Sequence, residues 1–351
     1  MEPRARAYRG SGHPGQPVDR RPGAAGRVPP APPDRPRQRL SGAIWTAGWE
    51  VLRWLPEPVA FGLADLAGRA AARRGGATRE RVRDNLAQVV PPADLAATGD
   101  AAYRSYARYW AEAFRAADLS VAQVNARMTT GGFDHLDGAL EHGRGVIVLL
   151  AHHGSWDVAA RWAEANDYHL AVVAEVVRPH GLFRRFVRLR EAMGLEVVPL
   201  VPRTGLAGRG IATRLGEVLR ANHLVGLLTD RDLSGKAPLV DFFGRPCRIP
   251  VGATVLAKRT RAPIVPIATL QRPGRRWHLE VLEPRWVHDV EIHDAQQRVA
   301  DALEEIIRLD PAQWHAFQRV WPRDGGAPQD AGAPRDRAAP RDGAAPPDAA
   351  S

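Results

Sequence analysis

The chain has 351 residues, 44% hydrophobic and 25% charged, with a single cysteine and a formal net charge of +10. That apolar fraction supplies a core and excludes a wholly disordered chain. The lone Cys247 excludes a disulfide scaffold or a cysteine-rich metal or iron–sulfur centre. No apolar run approaches the ~18 residues of a membrane-spanning helix. The Arg/Pro-rich start lacks the charged-then-apolar pattern of a secretory leader, so a cytosolic, reducing setting is expected.

Residues 1–40 hold nine Arg against three acids, together with nine Pro, and the tail from residue 323 repeats Ala, Pro, Asp, Arg and Gly. Both ends, 1–41 and 323–351, are expected to lack structure. The first forty residues carry six of the ten net charges and the tail is −1, which leaves the body about +5. That modest excess suits an anionic lipid or a phosphorylated cofactor better than duplex DNA, so no nucleic-acid partner is expected.

The folded body, residues 42–322, opens with a helical part over 42–120. Helical spacing over 43–75 is interrupted at Pro56 and Pro58, and Trp45, Trp49 and Trp54 stand beside Arg53. Such a helix fits a membrane–water boundary or packs its aromatics onto the body. One or two more helices are expected over 79–118, with Tyr103, Tyr106, Tyr109 and Trp110 on one stripe.

The pattern changes in the α/β part, 121–322. The continuous apolar run at 145–151 reads as a strand, and 169–177, 195–200, 224–229, 263–270 and 277–282 follow as further strand candidates. Helical stretches near 157–166, 182–193, 211–221, 251–261 and 294–309 alternate with them. Strands buried on both faces between helices predict an α/β fold, an αβα sandwich with a mostly parallel sheet.

The first of these strands runs into Ala-His-His-Gly-Ser-Trp-Asp at 151–157. His152 and Asp157 form an H-x4-D pair, a spacing that recurs once, at His278/Glu283, about as often as chance gives. Context separates the two. His278 lies inside a strand, whereas His152 ends a buried strand just before a helix, where open α/β sheets bind ligands. A tight turn there is expected to bring Asp157 back to the imidazole, fixing its tautomer and making His152 a general base for an alcohol. The alternative is a histidine satisfied by a helix-capping Asp. His153 is expected in a structural or rim role. Ser155 lacks the G-x-S-x-G elbow of a nucleophile. No H-x3-H or H-E-x-x-H pair supports a metal at His152, Asp157, Asp230 and Asp232.

Arg178, Arg184, Arg185, Arg188 and Arg190 cluster around the helix at 182–193. Arg184 and Arg188 share a face suited to phospholipid headgroups or cofactor phosphates, or simply to solvent. Arg248, Lys258 and Arg259 form a second candidate phosphate contact. Phe242, Phe243, Ile249, Pro250 and Val251 either line the path of an apolar ligand or form a strand-to-helix corner. Trp314, Phe317 and Trp321 are expected to pack on the core.

In order and spacing, AHHGSWD, VVAEVVRPHGLFRRFVRLREAMGLEVVPL, LLTDRDLSGKAPLVDFFGRPCRIPVGATVLAKRTRAPIVPI and QWHAFQRVW resemble the phosphatidylinositol mannoside acyltransferases, actinobacterial relatives of the lipid A late acyltransferases. The resemblance implies a glycerolipid-acyltransferase-like sandwich. It implies an acyl-CoA co-substrate with no permanently bound cofactor, and transfer of a long chain such as palmitoyl to a mannose hydroxyl of phosphatidylinositol mannoside. It also implies peripheral attachment to anionic lipid at the cytoplasmic face of the plasma membrane, with no protein partner. By position, His152 matches the family's base and Asp157 its partner, Glu175 and Arg190 match groove-lining polar residues, and Asp230 falls where relatives carry an acid near the acceptor sugar. A lipid A-type or lysophospholipid acceptor, and a non-catalytic membrane-binding protein, stand as the alternatives.

Overall fold

A computed structural model describes residues 36–176, 179–200, 205–232 and 235–321. The chain starts with four helices, α1 Pro36–Trp54, α2 Glu57–Arg73, α3 Ala77–Leu86 and α4 Leu95–Arg115. Pro56 ends α1 and caps α2 with extended backbone, and Pro58 sits in the first turn of α2, where a missing N–H breaks no helical bond. Residues 36–41, expected to be unstructured, therefore belong to α1; the rest of the two ends, 1–35 and 322–351, lies outside the described residues. The crossing of α2 on α4 needs Gly68, because a Cβ there would stand 2.7 Å from Arg104 Cα.

After a single turn of 3-10 helix the chain alternates: α5 Val121–Arg127, β1 Met128–Gly131, α6 Phe133–Glu141, β2 Val146–Leu150, α7 Trp156–Ala165, β3 Leu170–Glu175, α8 His180–Ala192, β4 Glu196–Leu200, α9 Gly205–Arg220 and β5 Leu224–Leu228. A hairpin of β6 Leu239–Phe242 and β7 Arg245–Arg248 follows, then α10 Gly252–Thr260, β8 Ile264–Arg272, β9 Arg276–Val281 and α11 Ile292–Arg308. The seven-stranded sheet has the order β1-β9-β8-β2-β5-β3-β4, parallel except for the β8–β9 pair. This is the αβα sandwich that the alternating pattern predicts. The strand and helix positions agree with expectation to within a few residues, α9 excepted.

Alternation along β2 shows how the layers form. Ile147 and Leu149 join the core with Val299, Leu303, Ile306 and Ile307 of α11. Val146 and Val148 join the opposite core with Val158 and Trp162 of α7. A strand buried on both faces cannot alternate apolar with polar, so VIVLL is continuous. Elements without a sequence expectation are short: α5, β1, α6 and the hairpin. Of the two readings of the segment around Phe242 and Ile249, the structure favours the strand-to-helix corner, since both side chains are fully buried in the α11-side core. Phe242 stacks on Trp321 at 5.5 Å, and Phe243 and Gly244 have the positive φ of a tight hairpin turn.

Candidate active site

The site stands at the carboxyl ends of the two central strands. Leu150 of β2 is in register with Leu228 of β5, and Thr229 N–H donates to the Leu150 carbonyl at 3.1 Å. His152 and Asp230 each follow that registered pair by the same short step. Their side chains meet, with His152 Nδ1 2.6 Å from Asp230 Oδ1. Trp314 Nε1 donates to the other carboxylate oxygen at 2.9 Å. On the far side of the ring, Arg231 Nη2 lies 3.0 Å from His152 Nε2. A guanidinium only donates, so Nε2 carries the lone pair and Nδ1 the proton given to Asp230.

The electrostatics agree with that tautomer. Burial lowers the pKa of His152 below its usual value, against the upward pull of Asp230 and with help from Arg231. Burial alone would raise the Asp230 carboxyl, but His152, Arg231 and the Trp314 N–H together hold it well below the usual carboxylate range. The pair is thus a neutral imidazole hydrogen-bonded to a carboxylate, which orients the ring and raises the basicity of Nε2.

The expected His152–Asp157 contact is replaced. Asp157, buried in the first turn of α7, accepts from Tyr109 Oη at 2.9 Å and from Arg190 Nε at 2.9 Å. The strand end carries His152 toward β5, whereas the start of α7 faces α4 and α8, which supply Tyr109 and Arg190. Burial opposes the charge on Arg190, yet pairing with Asp157 raises its pKa overall. The link from Asp157 to the imidazole is indirect: Tyr109 stacks on Trp156 at 3.9 Å, and Trp156 meets the His152 ring edge-on at 5.4 Å.

The turn between strand and helix is fixed by Gly154, which has φ +59° and whose Cβ, if present, would lie 1.5 Å from the Thr269 carbonyl oxygen. His153 is buried, with Nε2 2.8 Å from the Asp310 carbonyl, a structural role. Ser155 is buried and donates to Glu112, whose carboxylate also accepts from Trp277 Nε1 and Arg108 Nε.

Glu175 ends β3 half-buried; burial raises its pKa while the charge of Arg231 lowers it, which puts Glu175 beside the site. Arg184 and Arg188 are exposed on α8, and Arg178 lies outside the described residues. Arg185 sits 4.9 Å over the Trp49 ring and pairs with Glu50, docking α8 on α1. Arg248, at the end of β7, donates to the Ala237 carbonyl. Lys258 likewise donates to the Val290 and His288 carbonyls. Among the described residues, no three His, Cys, Asp or Glu side chains converge as a metal site. Arg231 escaped sequence reasoning; its signal was a base next to the acid in TDRD, at the end of an apolar strand.

Beside the site, between the sheet and α6, α7 and α8, lies an apolar groove of about 770 Å³, the open space at its mouth included. Its walls include Val148, Leu150, Val172, Leu228, Ala160 and Phe133, and Trp156, Asp157 and Arg190 also line it. Gly226 and the small residues Ala159, Ala160 and Ala163 leave the space open where larger side chains would fill it.

An imidazole–carboxylate pair at two parallel strand ends, beside an apolar groove, is an arrangement suited to activating a hydroxyl next to an apolar chain. The chain belongs to the bacterial lipid A biosynthesis acyltransferase family, whose model matches residues 35–323. It is therefore an acyltransferase. It is 38% identical to a protein named phosphatidylinositol mannoside acyltransferase from Mycolicibacterium smegmatis, over 80% of this chain and 91% of that one. It is 36% identical to a protein of the same name from Mycobacterium tuberculosis, over 85% of this chain and 94% of that one.

Proposed function

We propose that the protein transfers a long acyl chain, palmitoyl foremost, from acyl-CoA to a mannose hydroxyl of a phosphatidylinositol mannoside. The observation that carries this reading is the 2.6 Å His152–Asp230 pair beside the apolar groove, together with the names of the relatives. His152 Nε2 takes the hydroxyl proton as the oxygen attacks the thioester carbonyl, while Asp230 stabilises the imidazolium that forms. The tetrahedral intermediate collapses, and the departing thiolate recovers the proton from His152. Each buried methylene contributes about 0.8 kcal/mol, so the groove supplies the binding energy that holds the thioester in place. Asp157, with Arg190 and Tyr109, acts as a positioning group through Trp156.

The reading includes a peripheral seat on anionic lipid at the cytoplasmic face of the plasma membrane. Trp45, Val51 and Trp54 of α1 and Val59, Leu63 and Leu66 of α2 are exposed large apolar side chains, on helices of which none is long and apolar enough to cross a bilayer. An exposed apolar set of this kind marks an interaction surface.

The test is purified protein given palmitoyl-CoA with a panel of acceptors: phosphatidylinositol mannoside, a lipid A precursor and a lysophospholipid. An acylated mannoside seen by mass spectrometry, lost in a folded His152→Ala variant, is the expected result. Acylation of only one of the other acceptors replaces the acceptor in this reading. No turnover alongside vesicle binding replaces it with a membrane-binding protein.

A further inference from the structure

The nitrogen that must receive the hydroxyl proton is covered. Arg231 Nη2 stands 3.0 Å from His152 Nε2, where the oxygen of an incoming alcohol has to sit, so the guanidinium must turn aside when the acceptor arrives. Its backbone directly follows Asp230, so the guanidinium stays tethered next to the pair. Glu175, at the end of neighbouring β3, lies within reach of its charge.

Two backbone donors of the turn after β2 are already engaged. His153 N–H donates to the Ala151 carbonyl at 2.7 Å and Gly154 N–H to the Gln313 carbonyl at 2.9 Å. Of the neighbouring cations, Arg190 is paired with Asp157 and Arg248 is bonded to the Ala237 carbonyl.

We propose that Arg231 is a catalytic residue, the electrophile that exchanges its contact with His152 for the oxyanion of the tetrahedral intermediate. The inference rests on the reading of His152 as base. As the hydroxyl oxygen bonds to the acyl carbon, its proton passes to Nε2 and the carbonyl π pair moves onto oxygen, where the guanidinium meets it. When that pair re-forms the carbonyl, the carbon–sulfur bond breaks. The thiolate takes the proton from Nε2, and Arg231 returns to the vacated lone pair. A cation released from the base and received by the oxyanion acts where charge develops, which lowers the barrier without tightening substrate binding.

The test compares full-length Arg231→Gln, Arg231→Lys and His152→Ala proteins with the unaltered one, using palmitoyl-CoA and phosphatidylinositol mannoside and following thiol release. For Arg231→Gln, kcat should fall by roughly 10²–10³-fold, with KM for palmitoyl-CoA within about threefold and thermal unfolding unchanged. The pH profile supplies a readout that a structural role would not move. Asp230, Arg231, Arg190 and His315 are the charged and titratable groups acting on His152. Loss of the Arg231 charge alone should move the acid limb of kcat/KM to higher pH. Arg231→Lys keeps the charge, so its limb should stay in place while kcat falls less; it decides the matter if the Gln variant fails to fold. Activity of Arg231→Gln at or above the unaltered level would show that Arg231 merely covers the base. A rise in KM with kcat unmoved would make it a binding residue only. Either overturns the proposal while an inactive His152→Ala leaves the base in place, whereas an active His152→Ala protein sinks the base itself.

Discussion

Trp314 and His152 hold opposite oxygens of one carboxylate: the indole N–H donates to Asp230 Oδ2 at 2.9 Å while the imidazole bonds Oδ1 at 2.6 Å. Asp230 therefore has no rotational freedom, and the ring it carries is aimed by the core rather than by a loop. In the analogous arrangement of hydrolytic triads, replacing the orienting Asp by Asn lowers kcat by about 10⁴. Asp230→Asn should lose roughly 10²–10⁴ in kcat for the same reason. Trp314→Phe, which removes one hydrogen bond to a charged group worth about 1.5–3 kcal/mol, should lose less. Steady-state kinetics with palmitoyl-CoA, with circular dichroism as the check on folding, measures both; an Asp230→Asn enzyme of normal kcat contradicts the arrangement.

Acid should act twice. His152 is held neutral with its pKa below the usual histidine value, so kcat/KM should persist to pH values somewhat below 6.5 and fall as the base is protonated. His153 and His315 are also buried with lowered pKa values, burial being the first cause in each. Their depressed folded values mean that stability is fully present above the unfolded histidine pKa of about 6.5 and drains away as pH falls toward the folded values. Urea midpoints should therefore decline between pH 7.5 and 5, at up to about 1.4 kcal/mol per pH unit for each such histidine. A flat profile would mean that these rings are charged or solvated in the native state.

Asp157 should matter first for stability. Its side chain is 3% exposed and that of Arg190 19%, so Asp157→Ala leaves a mostly buried guanidinium and the Tyr109 hydroxyl without their acceptor. Breaking such a pair costs about 3–5 kcal/mol. The double variant Asp157→Ala/Arg190→Met should recover part of that loss, because no unpaired charge remains. Chemical denaturation of the two single variants and the double variant gives the coupling directly; additive losses would show that the pair contributes nothing as a pair.

The groove makes a specificity prediction. Gly226 lies on the sheet face lining it, and a Cβ there would already be 3.3 Å from Leu170 Cδ1 and 3.4 Å from Val172 Cγ1. Gly226→Leu should fill the space and shift preference from palmitoyl-CoA toward shorter donors such as decanoyl-CoA, with the largest change in the ratio of their kcat/KM values. An unchanged chain-length profile would place the acyl chain elsewhere.

Much of the sandwich was legible because its central strands are buried on both faces and so read as unbroken apolar runs, as in VIVLL and LVGLL. The edge strand MTTG and the hairpin around Phe243 and Gly244 gave no such run, and their positions depend on partners far along the chain. His152 stands out in the sequence because a strand end followed by a helix start is a local signal. Its hydrogen-bond partner is not legible for the converse reason. The H-x4-D spacing offers Asp157 nearby, whereas Asp230 lies 78 residues away and meets His152 only through the pairing of β2 with β5. Nothing in the spacing tells that Asp157 is claimed by Tyr109 and Arg190.

The matching positions of His152 and Asp230 beyond Leu150 and Leu228 tie the pair to strand alignment. Were β5 to slip by a single position against β2, the carboxylate would swing to the opposite surface of the sheet. The imidazole would then lose its anchor. Correct threading of the sheet is thus a precondition for the pair to exist at all.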